Sequence, residues 1–549
     1  TDNYFARGSR SLDGALINDR FTRREVYSDL FATAKYRFNE DFRVSLTVGN
    51  NLNERYSIHN IVQGTGLQLP NFYNISNADD IKSEQVIETI RMISFFSFAK
   101  LQYKDLLTLG ITGRHETSST FGPENRGFFY PSFDASFVFT ELEPLKNEST
   151  RKILSFGKVR AAYSMVGIEP AIYSTRTYFF SPQVADPYLQ PPAQFPYLGV
   201  AGYTLDAILG SRELKPERVL GIEFGTDVRF FDNRIGIDVT YFYQQTTDAI
   251  FRVPVAPSTG YQSFIDNSGE MVNRGWEVVL MGTPVRTKTR WGLLEWTLDV
   301  NWTRYRNELK SLAPGVDALI LGGFQGSDIR AVPGKPYGQI YGTRWLRNDA
   351  GQLIIGEDGY PQIDPQDGVI GNIQPDYLLG IGSDLRLGNF SFYMLWDVRQ
   401  GGQLWNGTRG ALNVFGMSDE TRNRGELKVF DGVLADGTPN TIAVPLDEDW
   451  YSGLGGGFFG PTEQFIEEAS WVRLRELTFS YRFDKLNLFK YVHRIDLAVT
   501  GRNVLLFTDY KGIDPETSLA GAGSNAFGID YFNMPNTRSL LFSVNFTFR

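Results

Sequence analysis

The feature that most constrains this chain is a period-two alternation of apolar and polar residues that returns from one end to the other. Between Leu220 and Phe230, the residues Leu220, Ile222, Phe224, Val228 and Phe230 share one face, and Glu223, Asp227 and Arg229 share the other. After Phe231-Asp232-Asn233-Arg234, a second run sets Ile235, Ile237, Val239, Tyr241 and Tyr243 against Gly236, Asp238, Thr240 and Gln244. The two runs predict one long hairpin. The same pattern marks Phe42 to Val48, Phe129 to Phe139, Leu294 to Trp302 and the final run Leu540 to Phe548. Each alternation lasts roughly 9 to 13 residues, the length of a tilted strand crossing a bilayer and above the roughly 5 to 6 of a soluble sheet. The pattern predicts an all-β chain built as a transmembrane antiparallel β-barrel.

The connections support that reading because they alternate between tight and long. Asn39-Glu40-Asp41, Tyr103-Lys104-Asp105, Phe231 to Arg234 and Leu387-Gly388-Asn389 are tight; the links near 282–291 and 484–493 are moderate. Links near 51–87, 167–217, 246–270, 305–375, 402–468 and 508–535 are long and rich in Gly, Pro, Asn and Asp. Short turns on the periplasmic side and long loops outside are the asymmetry of outer-membrane barrels. The count is about 15 strands, the first descending near 24–38 and the last at 537–549. An odd set that begins by descending cannot close, since bacterial single-chain barrels have an even number and open edges do not survive in lipid. Residues 1–549 are therefore expected to be one C-terminal barrel portion, its missing strands supplied by residues outside this sequence or by another chain. The start, Thr1-Asp2-Asn3, without an initiator Met or an apolar leader, agrees with a mature product or a fragment.

Composition removes several alternatives. No run approaches the ~20 apolar residues of a membrane-spanning helix, although Phe (42), Tyr (27) and Gly (55) are abundant and 42% of residues are hydrophobic. Barrel strands are apolar on one face only, so a negative mean hydropathy does not count against a membrane. The absence of cysteine removes disulfides, thiolate metal sites and Cys nucleophiles. A net charge of −9 leaves no basic excess for phosphate backbones, so no nucleic-acid partner is expected.

A set of local motifs resembles the SusC-like (SusC/RagA) TonB-dependent transporters of the Bacteroidetes outer membrane. They include Glu213-Leu214-Lys215-Pro216-Glu217, Asn267 to Glu277, Pro333-Gly334-Lys335-Pro336-Tyr337-Gly338, and Gly371-Asn372 with Pro375-Asp376-Tyr377. Trp396-Asp397 through Gln400-Gly401-Gly402, Ala469 to Glu476, Gly501-Arg502-Asn503, Asp509 to Glu516 and Pro535-Asn536-Thr537-Arg538 follow in order. The resemblance implies a 22-stranded barrel, of which this chain holds about 15 strands, and a plug domain that is not in this chain. It also implies a cell outer membrane location, TonB contacted through the missing N-terminal region, and a SusD-like surface lipoprotein as lid. The implied function is active import of a large nutrient, a glycan or oligosaccharide or a peptide. The alternative is a SusC-like barrel serving as a scaffold subunit of a larger outer-membrane assembly or secretion complex.

No enzyme is expected. His59, His115 and His493 are far apart in sequence, with no H-E-x-x-H pattern. There is no G-x-S-x-G elbow, and Gly334-Lys335 lacks the rest of a phosphate loop. No cofactor is expected. Asp447-Glu448-Asp449, and Asp358 with Asp364 and Asp367, offer hard oxygens of the type that hold a structural Ca²⁺, without EF-hand spacing; solvated loop acids are the simpler reading. Substrate or lid contact is expected from aromatic residues in the long loops, Trp405, Trp450, Tyr451, Phe458 and Phe459, with Arg399 and Asn406 beside them, because sugar rings stack on indole and phenol planes. The competing reading of those aromatics is the membrane girdle. Arg473, Arg475, Glu476 and Arg482 are expected to face the lumen opposite Leu474, Leu477, Phe479, Tyr481 and Phe483, packing against a plug.

Overall fold

The computed structural model describes residues 2–5, 14–186, 189–195, 199–484, 491–521 and 524–548. Among these, fifteen strands have ten residues or more. In chain order they are β1 (Ala15–Arg37), β2 (Phe42–Leu67), β3 (Ala78–Tyr103), β4 (Leu107–Ser118), β5 (Gly127–Phe137), β6 (Leu154–Ile168), β7 (Glu217–Phe230) and β8 (Ile235–Pro254). They continue with β9 (Ser263–Thr289), β10 (Gly292–Ser311), β11 (Tyr377–Leu387), β12 (Phe390–Gln400), β13 (Trp471–Asp484), β14 (Val492–Phe507) and β15 (Ser539–Phe548). All belong to one large sheet, antiparallel wherever two of these fifteen have a resolved register.

Each tight turn falls where the sequence predicts it. The turn after β7 places Phe231, Asp232 and Asn233 at positive φ, a conformation Asp and Asn tolerate, and the Arg234 N–H closes it on the Phe231 carbonyl at 3.2 Å. The link expected near 282–291 is tighter than predicted, only Arg290-Trp291 separating β9 from β10. Six residues of the link expected near 484–493, 485–490, lie outside the described residues.

The larger difference is strand length. β1, β2, β3 and β9 run for 23, 26, 26 and 27 residues, so the links expected near 51–87 and 246–270 shrink to residues 68–77 and 255–262. The β2–β3 ladder continues in register through Arg55↔Ile90, Asn60↔Gln85 and Thr65↔Asp80. Above the bilayer no lipid covers one face, so both faces carry polar residues and alternation fades while the hydrogen-bonded ladder persists.

The chain divides into two compact units. The first holds residues 1–135, 162–220 and 246–268. Its frame is the ladder β1–β2–β3–β4, with pairs from Arg37↔Arg43 through Phe42↔Tyr103 to Met92↔Ser118. Glu169 accepts from Arg55, Ser118 and Thr120, so this half-buried carboxylate is fully used in structure.

The second unit holds residues 136–161, 221–245 and 269–549. Its strands make the two faces explicit. One row of directly opposed residues runs Trp296–Leu385–Phe392–Phe479–Val499–Phe542 across β10, β11, β12, β13, β14 and β15. The next row along the strands, on the other face, runs Glu295–Arg386–Ser391–Ser480–Ala498–Ser543. Leu385, Phe479, Val499 and Phe542 are exposed, as are many large apolar side chains in this sheet. Water would penalise such a continuous apolar surface; hydrocarbon does not.

Candidate functional site

The links that follow β10, β12 and β14 fold into a layer with its own cores. Leu319–Phe324, Ser327–Ala331, Gln339–Gly342 and Gly368–Asn372 form a four-stranded sheet, and Gln403–Asn406, Ile466–Glu468 and Ile529–Asp530 a three-stranded one. Ile329, Ile340, Trp405, Phe465, Ala526 and Ile529 pack between them. A second core gathers Ile355, Phe430, Val444, Leu446 and Tyr451, flanked by Trp450 stacked on Tyr360 at 5.6 Å. Each core draws on more than one part of the loops, so ordering one part supports the others.

This layer decides where the expected contact residues sit. Trp405 is 5% exposed, parallel to Tyr531 at 6.3 Å. Asn406 is 0% exposed; its carbonyl oxygen accepts the Arg409 N–H at 2.9 Å and caps the helix Gly407–Val414, while its amide donates to Glu467 at 3.1 Å. Tyr451 is buried and donates its hydroxyl to the Glu420 carbonyl at 2.8 Å. Trp450 flanks the second core. Trp405, Asn406 and Tyr451 thus correct the surface expectation. A loop aromatic reads as a surface group only while the core it builds, assembled from distant links, is hidden from the linear sequence.

Phe458 and Phe459 are different. Both are exposed, Phe459 at 72%, and Phe458 meets exposed Phe415 edge-on at 5.9 Å. Exposed Met417 follows two residues later. The loop that carries them is held by a backbone approach only glycine permits, since a Cβ on Gly457 would lie 2.6 Å from the backbone of Gly410.

Arg399 ends on the polar face of β12, where the alternation also puts Asp397. On the adjoining β13 the pairing skips Arg475. Leu395 opposes Glu476 while Trp396 opposes Leu474, and toward β14 Leu474 opposes Leu505 while Glu476 opposes Arg502. Against β12 Arg475 is therefore the extra residue of a β-bulge, whereas against β14 the extra residue lies on β14, between Arg502 and Leu505. The bulge reconciles a parity break in the expected lumen set: Arg473, Arg475 and Glu476 reach one side although two of them are adjacent. Arg473 pairs with Asp514 at 2.7 Å, both only 3% exposed, and with Glu516 at 2.8 Å. Arg475 joins Asp397 at 2.9 Å and also Glu516. The loop after β14 is thereby drawn down over the polar face. Within this chain Arg473 and Arg475 are thus paired with the loop after β14, and Arg475 also with Asp397 of β12.

Beside this network the polar face carries a cavity of 290 Å³, lined by Asn273 of β9, Tyr305 and Asn307 of β10, Arg399 of β12, and loop residues including Tyr337, Glu516 and Ser518. Arg399 donates through Nη2 to the Ile373 carbonyl at 2.5 Å. Burial pushes the Tyr337 phenol up, which keeps it a neutral donor. Deeper in the layer Tyr510 donates to Asp530 at 2.6 Å, and burial together with that carboxylate pushes the phenol well above its ordinary value. Asn273, Tyr337 and Ser518 escaped sequence reasoning as site residues. The available signal was parity, since Asn273 and Asn307 share the face of Arg399.

Three of the expected acids have structural partners. Asp447 caps the helix Glu448–Ser452, Asp364 pairs with Arg344 at 2.8 Å, and Asp358 accepts the Tyr360 N–H at 3.1 Å. Among the described residues no group of three His, Cys, Asp or Glu is arranged to hold a metal ion. His59 lies 2.7 Å from Asp19 in the β1–β2 ladder.

A family model described as TonB dependent receptor-like, beta-barrel matches residues 1–399. Among curated proteins, the chain is 28% identical over 492 residues to TonB-dependent receptor P3 of Formosa agariphila, covering 83% of this chain and 45% of that protein. It is 27% identical over 513 residues to TonB-dependent receptor P26 of the same organism, covering 87% and 48%. The chain spans about half the length of the curated relatives it matches. Among solved structures, it superposes on a chain of the RagAB peptide transporter with a TM-score of 0.74 at 17% identity, over 97% of this chain and 56% of that one. The RagAB peptide importer in its open-open state gives 0.75 at 17% identity, over 97% and 55%. At that identity the likeness speaks to fold.

Proposed function

This chain belongs to the TonB dependent receptor-like β-barrel family, an outer-membrane family of transporters rather than enzymes, and on that footing we propose that it is the barrel portion of an active importer of a large nutrient. In this reading the rest of the protein supplies the remaining strands and a plug, TonB pulls on that plug from the periplasm, and a SusD-like lipoprotein closes the outer mouth. A glycan or a peptide is the cargo.

The observation that carries the reading is the folded outer layer with its exposed Phe415, Met417, Phe458 and Phe459. Bare aromatic side chains that meet one another on the layer, as Phe415 and Phe458 do, mark a contact surface. A hinged lid needs such a surface. The test is affinity purification of the full-length protein from detergent-solubilised outer membranes. A surface lipoprotein is expected to co-purify with the parent and to be lost from Phe458→Asp/Phe459→Asp at unchanged barrel thermal stability. Purification of the parent without any lipoprotein would contradict the lid.

A further inference from the structure

The polar-face cavity holds an imbalance that the ion network beside it does not. Three of its lining residues carry a buried polar atom with no partner among the described residues: Asn273 Oδ1, Ser518 Oγ and Arg399 Nε. A buried, unpaired donor or acceptor costs about 1 to 3 kcal/mol, so three around one small space is an unusual concentration. Together the three call for a guest that both donates and accepts. Asn273 Oδ1 needs a donor, Arg399 Nε needs an acceptor, and the Ser518 hydroxyl takes either role. A guest hydroxyl supplies both.

The rest of the wall agrees. Tyr305, Tyr337 and Phe527 bring aromatic surface of the kind that covers C–H faces. The charge of Glu516 is already matched by Arg473 and Arg475, while the Arg399 guanidinium has the Ile373 carbonyl as its acceptor. A volume of 290 Å³ lies at the lower edge of ligand clefts, roughly 300 to 1,000 Å³, and admits one ring rather than a chain.

We propose that this cavity is a binding site for a single monosaccharide unit, held by Asn273, Arg399 and Ser518 through its hydroxyl groups. The three atoms lie shielded within the wall, so binding turns their side chains toward the cavity and satisfies them. The proposal rests on the import reading only for its purpose, which is to hold one residue of an incoming glycan, and it favours glycan over peptide as cargo.

The experiment melts purified full-length protein in detergent alone and with high millimolar glucose, galactose, mannose, xylose or N-acetylglucosamine, with glycylglycine as the amide control. A ligand that binds only the folded state raises the melting temperature in proportion to the logarithm of its concentration over Kd. At least one sugar is expected to raise it for the parent, and glycylglycine is not. Asn273→Ala and Ser518→Ala are each expected to weaken that sugar about tenfold, the loss of one hydrogen bond. Without sugar they are expected to melt no lower than the parent, because each removes an unpaired atom. No shift with any sugar, an equal shift with glycylglycine, or a lower melting point of the sugar-free variants, the mark of structural water on those atoms, overturns the proposal. Failed sugar binding leaves lid co-purification intact, and failed co-purification leaves sugar binding intact, so the two readings fail separately.

Discussion

Two side-chain pairs, Arg473 with Asp514 and Tyr510 with Asp530, have measurable consequences. Arg473 and Asp514 are buried together, and removing one partner strands a charge in a poorly solvated place. Arg473→Met is expected to cost about 3 to 5 kcal/mol in denaturant unfolding, with much of the loss recovered in Arg473→Met/Asp514→Leu, where no charge is left unpaired. Tyr510 gives a pH signature. Its folded-state ionisation is pushed above the ordinary tyrosine value of about 10 by burial and by Asp530, so the unfolded chain ionises first as pH rises. The stabilisation from this group is complete below about pH 10 and declines beyond it, by about 1.4 kcal/mol per pH unit. The stability difference between the parent and Tyr510→Phe is therefore expected to be flat from pH 8 to about 9.5 and to narrow above about 10. A flat difference through pH 11 would show that Tyr510 ionises alike in both states. Neither pair was legible in the sequence as a pair. Arg473 and Asp514 lie 41 positions apart, and only the fold of the loop after β14 makes them neighbours.

For the strands, legibility followed the solvent. Where lipid covers one face, as along Phe392, Phe479, Val499 and Phe542, the alternation is strong and the register follows from it. Where water covers both faces, as in the outer half of β2 and β3, the pattern dissolves and strands read as loops. The β13 bulge sits between these cases, announced in the sequence by the adjacent charged pair Arg475-Glu476 yet recognisable as a bulge only from its partners. The two faces predict opposite tolerance. Val499→Arg, in the apolar row, is expected to cost about 2 to 4 kcal/mol near the bilayer midplane, whereas Ser480→Lys, in the polar row, is expected to cost under about 1. Refolding equilibria in lipid vesicles measure both, and equal costs would contradict the assignment of faces.

For the molecule as a whole, the fold class and the alternation of tight turns with long loops were legible, while the layer built by those loops was not. Its cores depend on Ile329, Trp405, Phe465 and Ile529, contributed by three separate links. Such a core has no period in sequence. The orientation it implies can be checked cleanly because the chain has no cysteine. Phe459→Cys, on the outer layer, is expected to react with a membrane-impermeant maleimide on intact cells, and Asn39→Cys, in a tight turn, only after the outer membrane is opened. Labelling of Asn39→Cys alone would invert the topology. Import itself is measured by uptake. Cells of the native host with and without the intact gene are given fluorescent oligosaccharide and peptide pools, and periplasmic label is followed with and without a protonophore. The parent is expected to accumulate a labelled fraction that the deletion strain does not, with the protonophore abolishing the difference; equal accumulation by both strains from both pools would rule import out.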